Sequence, residues 1–157
     1  MKYKIIVEGC DGVGKTTLIK KLIKKYDITS YVHVNRHDSN SFLFYLFTEN
    51  KTDVIFDRHF IGEMIYPKVF NRKSDLTKNL FELLLDNFTK QEKTFICILT
   101  ADDDVLLNRI KVNEYDEVKN NIVEINRQFV EIGKKYNIPI IDTTKTSFEK
   151  ICEMIEK

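Results

Sequence analysis

Apolar residues along this chain keep two rhythms that alternate from one end to the other. Short β-branched runs occupy residues 5–7, 31–34, 54–56, 95–99 and 138–141. The first, third and fourth are continuously apolar, the pattern of strands buried on both faces in a parallel sheet covered by helices. Between the runs, apolar spacing of three and four predicts helices over 16–25, 75–91, 103–110, 115–136 and 147–156. Leu18, Leu22 and Ile23 stripe the first of these, and Leu76, Leu80, Leu83, Leu84 and Phe88 the second. Val118, Ile122, Ile125, Phe129 and Ile132 stripe the longest. Thr100-Ala101-Asp102 supplies a cap before the third, and Thr146 to Glu149 has capping-box spacing before the last. Pro139 falls among the first residues of its strand, where a missing N–H is tolerated. Strands alternating with helices specify an α/β layer fold with right-handed crossovers. With 157 residues and no repeat, linker or low-complexity tract, one domain over 1–157 is expected.

Charge narrows the function classes. The 25 basic and 24 acidic side chains leave a net charge of +1, and the lysines come in short pairs such as Lys20-Lys21 and Lys134-Lys135. A broad nucleic-acid surface needs a basic excess or stripe, so no extended nucleic-acid partner is expected. Cys10, Cys97 and Cys152 are scattered without CxxC spacing, which argues against a zinc site or disulfide framework. Cys97 and Cys152 read as small buried thiols. Cys10, beside backbone amides that could lower its pKa, is open to oxidation on one reading and a tolerated small side chain on the better one. The chain shows no apolar stretch of membrane-spanning length and no signal-peptide pattern, so neither a membrane nor secretion is expected and the cytoplasm is the default.

The specific chemistry lies after the first strand. Gly9-Cys10-Asp11-Gly12-Val13-Gly14-Lys15-Thr16 matches G-x-x-x-x-G-K-[ST] at each fixed position, between a strand and a helix. Glycines let backbone N–H groups wrap a phosphate, and the following helix adds its positive end. Lys15 then reaches the β- and γ-phosphates and the Thr16 hydroxyl binds magnesium, so ATP and Mg2+ are the expected cofactors. The chain has neither the Asn-Lys-x-Asp nor the D-x-x-G segments of a GTPase, and the strand at 54–56 runs into Asp57-Arg58 rather than Asp-Glu. A small enzyme moving one phosphoryl group fits better than a motor ATPase.

Glu8-Gly9-Cys10-Asp11-Gly12-Val13-Gly14-Lys15-Thr16-Thr17 resembles the E-G-x-D-G-x-G-K-T-T phosphate loop of thymidylate kinases. Asp57-Arg58-His59 resembles that family's D-R-[YFH], and Tyr66 falls where the family has the tyrosine of A-Y-Q. The resemblance implies a three-layer α/β/α P-loop kinase sandwich with about five parallel strands in the order 2-3-1-4-5, a short lid at about 109–119, and a homodimer. It implies catalytic roles for Lys15, Asp57 and Arg58, with magnesium held by Thr16 and Asp57. The implied cofactor-binding set is Gly9, Asp11, Gly12, Val13, Gly14, Lys15, Thr16, Thr17 and Arg109. Asp11, Arg36, Arg58 and Tyr66 would bind the acceptor. From the aromatic run Phe42, Phe44, Tyr45 and Phe47, Phe42 is the residue chosen to stack on its base. His59 reads as a packed histidine.

The departures bear on the acceptor. Pro67 stands where the family has a glutamine, Arg36-His37-Asp38 replaces Arg-Glu-Pro, and the lid holds Arg109, Lys111 and Lys119 as its cations. These leave the base of the acceptor open. The expected function is phosphoryl transfer from ATP to a (deoxy)nucleoside monophosphate, a small-molecule partner that needs charge neutralisation rather than a general base. One alternative is a deoxynucleoside kinase using Asp38 as base. The other is an ATP-binding regulatory protein without transfer activity.

Overall fold

Five parallel strands, β1 (Lys4–Glu8), β2 (Ser30–His33), β3 (Val54–Asp57), β4 (Thr94–Thr100) and β5 (Ile140–Asp142), form one sheet in the order β2-β3-β1-β4-β5. The computed structural model describes residues 2–34, 41–110 and 116–157. Arg36, Asp38, Lys111 and the centre of the 109–119 lid lie outside the described residues. Every residue of β1 and β3 is buried, so both faces of the central sheet are covered, as their unbroken apolar runs require. By contrast β2 is an edge strand and is largely exposed.

The covering layers are α1 (Lys15–Tyr26), α2 (Ser41–Phe47), α3 (Tyr66–Val69), α4 (Lys78–Thr89), α5 (Asp103–Arg109), α6 (Asp116–Lys135) and α7 (Phe148–Ile155), with a 3-10 turn at Gly62–Met64. Here α1 packs on β1 and β3, while α4 and α6 both pack on β4. The result is the three-layer α/β/α sandwich in the strand order that the resemblance implies. Among the described residues no helix is long and apolar enough to cross a membrane.

Three local expectations change. The helix expected over 75–91 starts at Lys78, because the Thr77 side chain accepts a hydrogen bond from the Leu80 amide and caps it there. Its buried face is Phe81, Leu84, Leu85 and Phe88, and Leu83 points outward, a rotation of the expected stripe. The cap of α7 is Ser147, whose hydroxyl accepts from the Lys150 amide, rather than Thr146. The short helices α2 and α3 and the 3-10 turn carry no clear period in the sequence and were not expected.

Gly133 sets how closely α6 approaches the sheet. A Cβ at this position would lie 2.7 Å from Cγ1 and 2.8 Å from Cδ1 of Ile140 on β5. Alanine is the better helix former by about 1 kcal/mol, but overpacking a filled core costs about 1–3 kcal/mol, so the crowding wins. Gly133→Ala is expected to lower stability in urea denaturation despite its helix propensity. The loss should shrink in an Ile140→Ala background, where both crowded atoms are gone; additive losses would show that the approach is not what glycine permits.

Candidate active site

Ligands of open α/β sheets bind beyond the carboxyl ends of the strands, and the chain's polar groups gather there. As β1 ends, Gly9 turns at φ 137° and Gly12 and Gly14 follow at φ 81° and 93°, so the backbone curls into a hollow before α1 begins. A Cβ on Gly9 would stand 2.6 Å from the Leu99 carbonyl oxygen of β4, so the loop hugs the sheet only with glycine there. Lys15, buried in the first turn of α1, reaches back across the hollow. Its Nζ donates to the carbonyls of Gly9 (2.8 Å) and Cys10 (2.7 Å). An ammonium has three N–H donors, so one remains for an anion. Burial, and then the nearby Arg58, push the Lys15 pKa below the ordinary lysine range. An anion in the hollow would reverse that pressure, since opposite charge favours the charged form. Thr16 and Thr17 are exposed at the start of α1.

Asp57 closes β3 directly opposite. Its Oδ2 accepts from the Tyr31 hydroxyl (3.0 Å) and lies 2.9 Å from His33 Nδ1, both on β2, where the register sets His33 beside Asp57. Its Oδ1 is buried and has no hydrogen-bond partner among the described residues. Lys15, Thr16, Asp57 and His33 all border a cavity of about 690 Å³ that continues to Thr143 and Phe148. Thr143 donates to the Val13 carbonyl (2.7 Å) and Arg109 Nη1 to the Gly12 carbonyl (3.0 Å), so two distant segments brace the loop. Hard oxygen donors suit magnesium, and the Thr16 hydroxyl together with the unpartnered Asp57 oxygen fits that ion. Among the described residues no cluster of three or more His, Cys, Asp or Glu offers a self-sufficient metal site.

A second cavity, about 490 Å³, lies on the other side of Asp11 and Arg58, which border both. Arg58 sits at φ 68°, a left-handed conformation uncommon for a non-glycine residue, and its Nη2 donates to Asp11 Oδ1. Tyr66 borders this cavity with a buried hydroxyl that lacks a partner among the described residues, and its ring stacks on Phe70 with centroids 6.1 Å apart. The aromatic on the wall from the 42–47 run is Tyr45; Phe42 is half-buried and packs against the core instead.

Glu8 holds the arginine's segment in place. Its Oε1 accepts from the amides of His59 (2.8 Å), Ile61 (2.9 Å) and Gly62 (3.4 Å), the residues just after Arg58. Its Oε2 is buried without a partner among the described residues, and burial pushes the carboxyl pKa up to about 7 against those bonds. His59, ringed by Tyr45, Phe56, Phe60 and Phe88, is driven down to about 3 by burial and then by Lys4. Thr48 donates its proton to the Tyr45 carbonyl, so its oxygen accepts from His59 Nε2 and the ring is the neutral Nε2–H tautomer. His59 is thus the packed histidine expected. Cys10 is buried, with its thiol raised to about 12 by burial, and so is inert rather than open to oxidation.

Phosphate loop, opposed carboxylate and paired cavities together form a P-loop nucleotide-binding arrangement. No protein-family model matches the chain. It is 26% identical over 175 residues to a probable thymidylate kinase of Methanocaldococcus jannaschii, covering 94% of this chain and 90% of that protein. The YorR protein of Bacillus subtilis, solved in complex with phosphorylated GDP, superposes with a TM-score of 0.79 at 23% identity, over 98% of this chain and 93% of that one. Thymidylate kinase of Candida albicans superposes with a TM-score of 0.63 at 17% identity, over 99% and 92%. The likeness read from the phosphate loop therefore runs through nearly the whole chain, which has the P-loop kinase fold and is similar to thymidylate kinases.

Glu8 and His59 titrate in opposite senses. The Glu8 pKa is raised on folding, from 4.5 to about 7, so the folded chain binds more protons in that window and stability falls as pH rises through it. The His59 pKa is depressed, from 6.5 to about 3, so its contribution is lost as pH falls through that range. Replacing Glu8 removes only the first slope. From about pH 4.5 to 7, denaturation should show Glu8→Gln gaining on the wild type by up to about 3 kcal/mol. A difference that stays constant with pH would mean the buried carboxyl does not titrate there.

Proposed function

We propose that the chain transfers the γ-phosphoryl group of ATP to a (deoxy)nucleoside monophosphate. The observation that carries this reading is the Asp11–Arg58 ion pair standing between two cavities, one built on the phosphate loop and one lined by aromatic residues. In this reading the triphosphate lies in the first cavity and the acceptor in the second, so that the transferred group passes Arg58.

Lys15 uses its remaining N–H on the phosphates and neutralises charge in a water-poor site, where such contacts count for most. The Gly9–Gly14 backbone orients the donor, and Arg109 keeps that backbone in shape from the edge of the lid. Arg58 exchanges part of its bonding from Asp11 to phosphate oxygens, which frees Asp11 to accept from a sugar hydroxyl. Thr16 and Asp57 would hold magnesium, which when bound supplies further neutralisation of the developing phosphate charge. Tyr31 and His33 fix the Asp57 carboxylate through Oδ2 and leave Oδ1 without a partner among the described residues. Arg36, outside the described residues, belongs to the proposal as a second contact to the acceptor phosphate.

A monophosphate is nucleophilic without a base, and Asp38, the base of the deoxynucleoside kinase alternative, lies outside the described residues. The similarity to a probable thymidylate kinase over most of the chain favours transfer to a monophosphate over the deoxynucleoside kinase and regulatory readings. The cytoplasm and the homodimer complete the proposal. The three cysteines are free and buried, and Leu43 and Phe47 on α2 with Leu83 on α4 leave apolar surface for a second copy.

The test is ADP release from ATP and Mg2+ across the deoxynucleoside monophosphates and the nucleosides. Turnover with at least one monophosphate and none with nucleosides is expected; the reverse overturns the reading. Lys15→Ala should lower kcat about 100-fold or more, as removal of comparable charge stabilisation does. Activity within a few-fold of wild type would dismiss Lys15 from the chemistry.

A further inference from the structure

The second cavity is bordered by a buried carboxylate that phosphoryl transfer does not use. Glu63, in the 3-10 turn Gly62–Met64, is only 7% exposed and lines this cavity but not the first. Its position is set from outside. Ser74 Oγ donates its one proton to Glu63 Oε1 at 2.8 Å, while Ser74 Oγ itself accepts from the Leu76 amide at 3.2 Å. Among the described residues this neutral hydroxyl is the bonded partner of Glu63. A carboxylate accepts up to about four hydrogen bonds, and a buried one left short of them is costly. The cavity wall therefore offers acceptor capacity that a ligand's N–H groups would fill.

Arg72 borders the same cavity and supplies the opposite chemistry, donors without an acceptor. Phe70, stacked on Tyr66, adds an aromatic surface. Asp11 and Arg58 are shared with the first cavity and mark the transfer end, whereas Glu63, Phe70 and Arg72 belong to the second alone. An aromatic surface beside one fixed acceptor and one donor suits a base that carries an exocyclic amino group next to ring or carbonyl acceptors. Cytosine, adenine and guanine have that amino group. Thymine has none: its single ring donor, N3–H, lies between two carbonyls, whose lone pairs would be brought up against the carboxylate.

We propose that Glu63 reads an amino group on the acceptor base, so that the preferred acceptor is the monophosphate of an amino-bearing nucleoside and not that of thymidine. This rests on the assignment of the second cavity to the acceptor. A site built to hydrogen-bond a particular group discriminates strongly against a ligand lacking it, because its own buried polar atoms are left unpaired.

The experiment measures kcat/KM with ATP for dTMP, dCMP, dAMP and dGMP in the wild type and in Glu63→Gln, with calorimetric titration of the same four monophosphates. In the wild type at least one amino-bearing acceptor should exceed dTMP by about 100-fold or more. Glu63→Gln should cut that ratio at least about 10-fold, through the KM of the acceptor, while the KM for ATP stays the same and reports an intact fold. Transfer to dTMP above the other three, or a ratio untouched by Glu63→Gln, overturns the base reading and leaves phosphoryl transfer standing. Preferential binding of amino-bearing monophosphates that Glu63→Gln abolishes, without turnover, supports the base reading and overturns transfer. No binding of any monophosphate overturns both.

Discussion

A single buried ammonium gives this site its shape. The phosphate loop leaves β1 through left-handed turns that forgo regular backbone pairing, and its carbonyls need a donor from elsewhere. Lys15 supplies two bonds to Gly9 and Cys10 from the helix that the loop itself introduces. The loop and the lysine are therefore mutually dependent: the hollow is held open by the group that would also grip what enters it. Thr143, just after β5, and Arg109, at the end of α5, brace the same backbone, so the geometry does not rest on local sequence alone.

Around that ammonium the molecule tolerates several incompletely satisfied polar groups. Glu8 Oε2, Asp57 Oδ1, Arg58 Nε and the Tyr66 hydroxyl are all buried without partners among the described residues. Each such group costs about 1–3 kcal/mol in the absence of a ligand, and a fold under no other demand would replace them with apolar atoms. All four lie on or directly behind the segment that joins the two cavities. Glu8 is the most economical of them: one oxygen gathers three amides and so fixes the backbone that presents Arg58 in its strained conformation. The aromatic box round His59 completes this anchor from the apolar side.

The two cavities differ in how they are built. The first is assembled largely from one contiguous loop, with Asp57 opposite and Arg109 and Thr143 at its rim. The second draws on β2's end, α2, the 3-10 turn, α3 and the start of α6, and its polar residues are unlike one another in charge and reach. On the proposed function, the chemistry of phosphoryl transfer is thus concentrated in one short stretch, and selectivity is spread across elements that can vary independently.

Read as sequence, the chain determined the alternation of strands and helices, the phosphate loop with Lys15 and Thr16, and the Asp57-Arg58 pair at a strand end. Those features are encoded by neighbours within about ten residues, where period and spacing suffice. Thr143, His33, Tyr31, Glu63 and Ser74 were not legible, because each matters only through a partner brought near by strand register or by packing. Tyr45 rather than Phe42 reaches the cavity, since the rotation of a seven-residue helix cannot be read from a run in which nearly every residue is apolar. The same holds for α4, whose buried face turned away from the expected stripe once Thr77 fixed its first turn. Local sequence sets which groups exist and how the chain turns beside them; only the folded sheet decides which of them meet, because long-range proximity is a property of register and packing rather than of spacing.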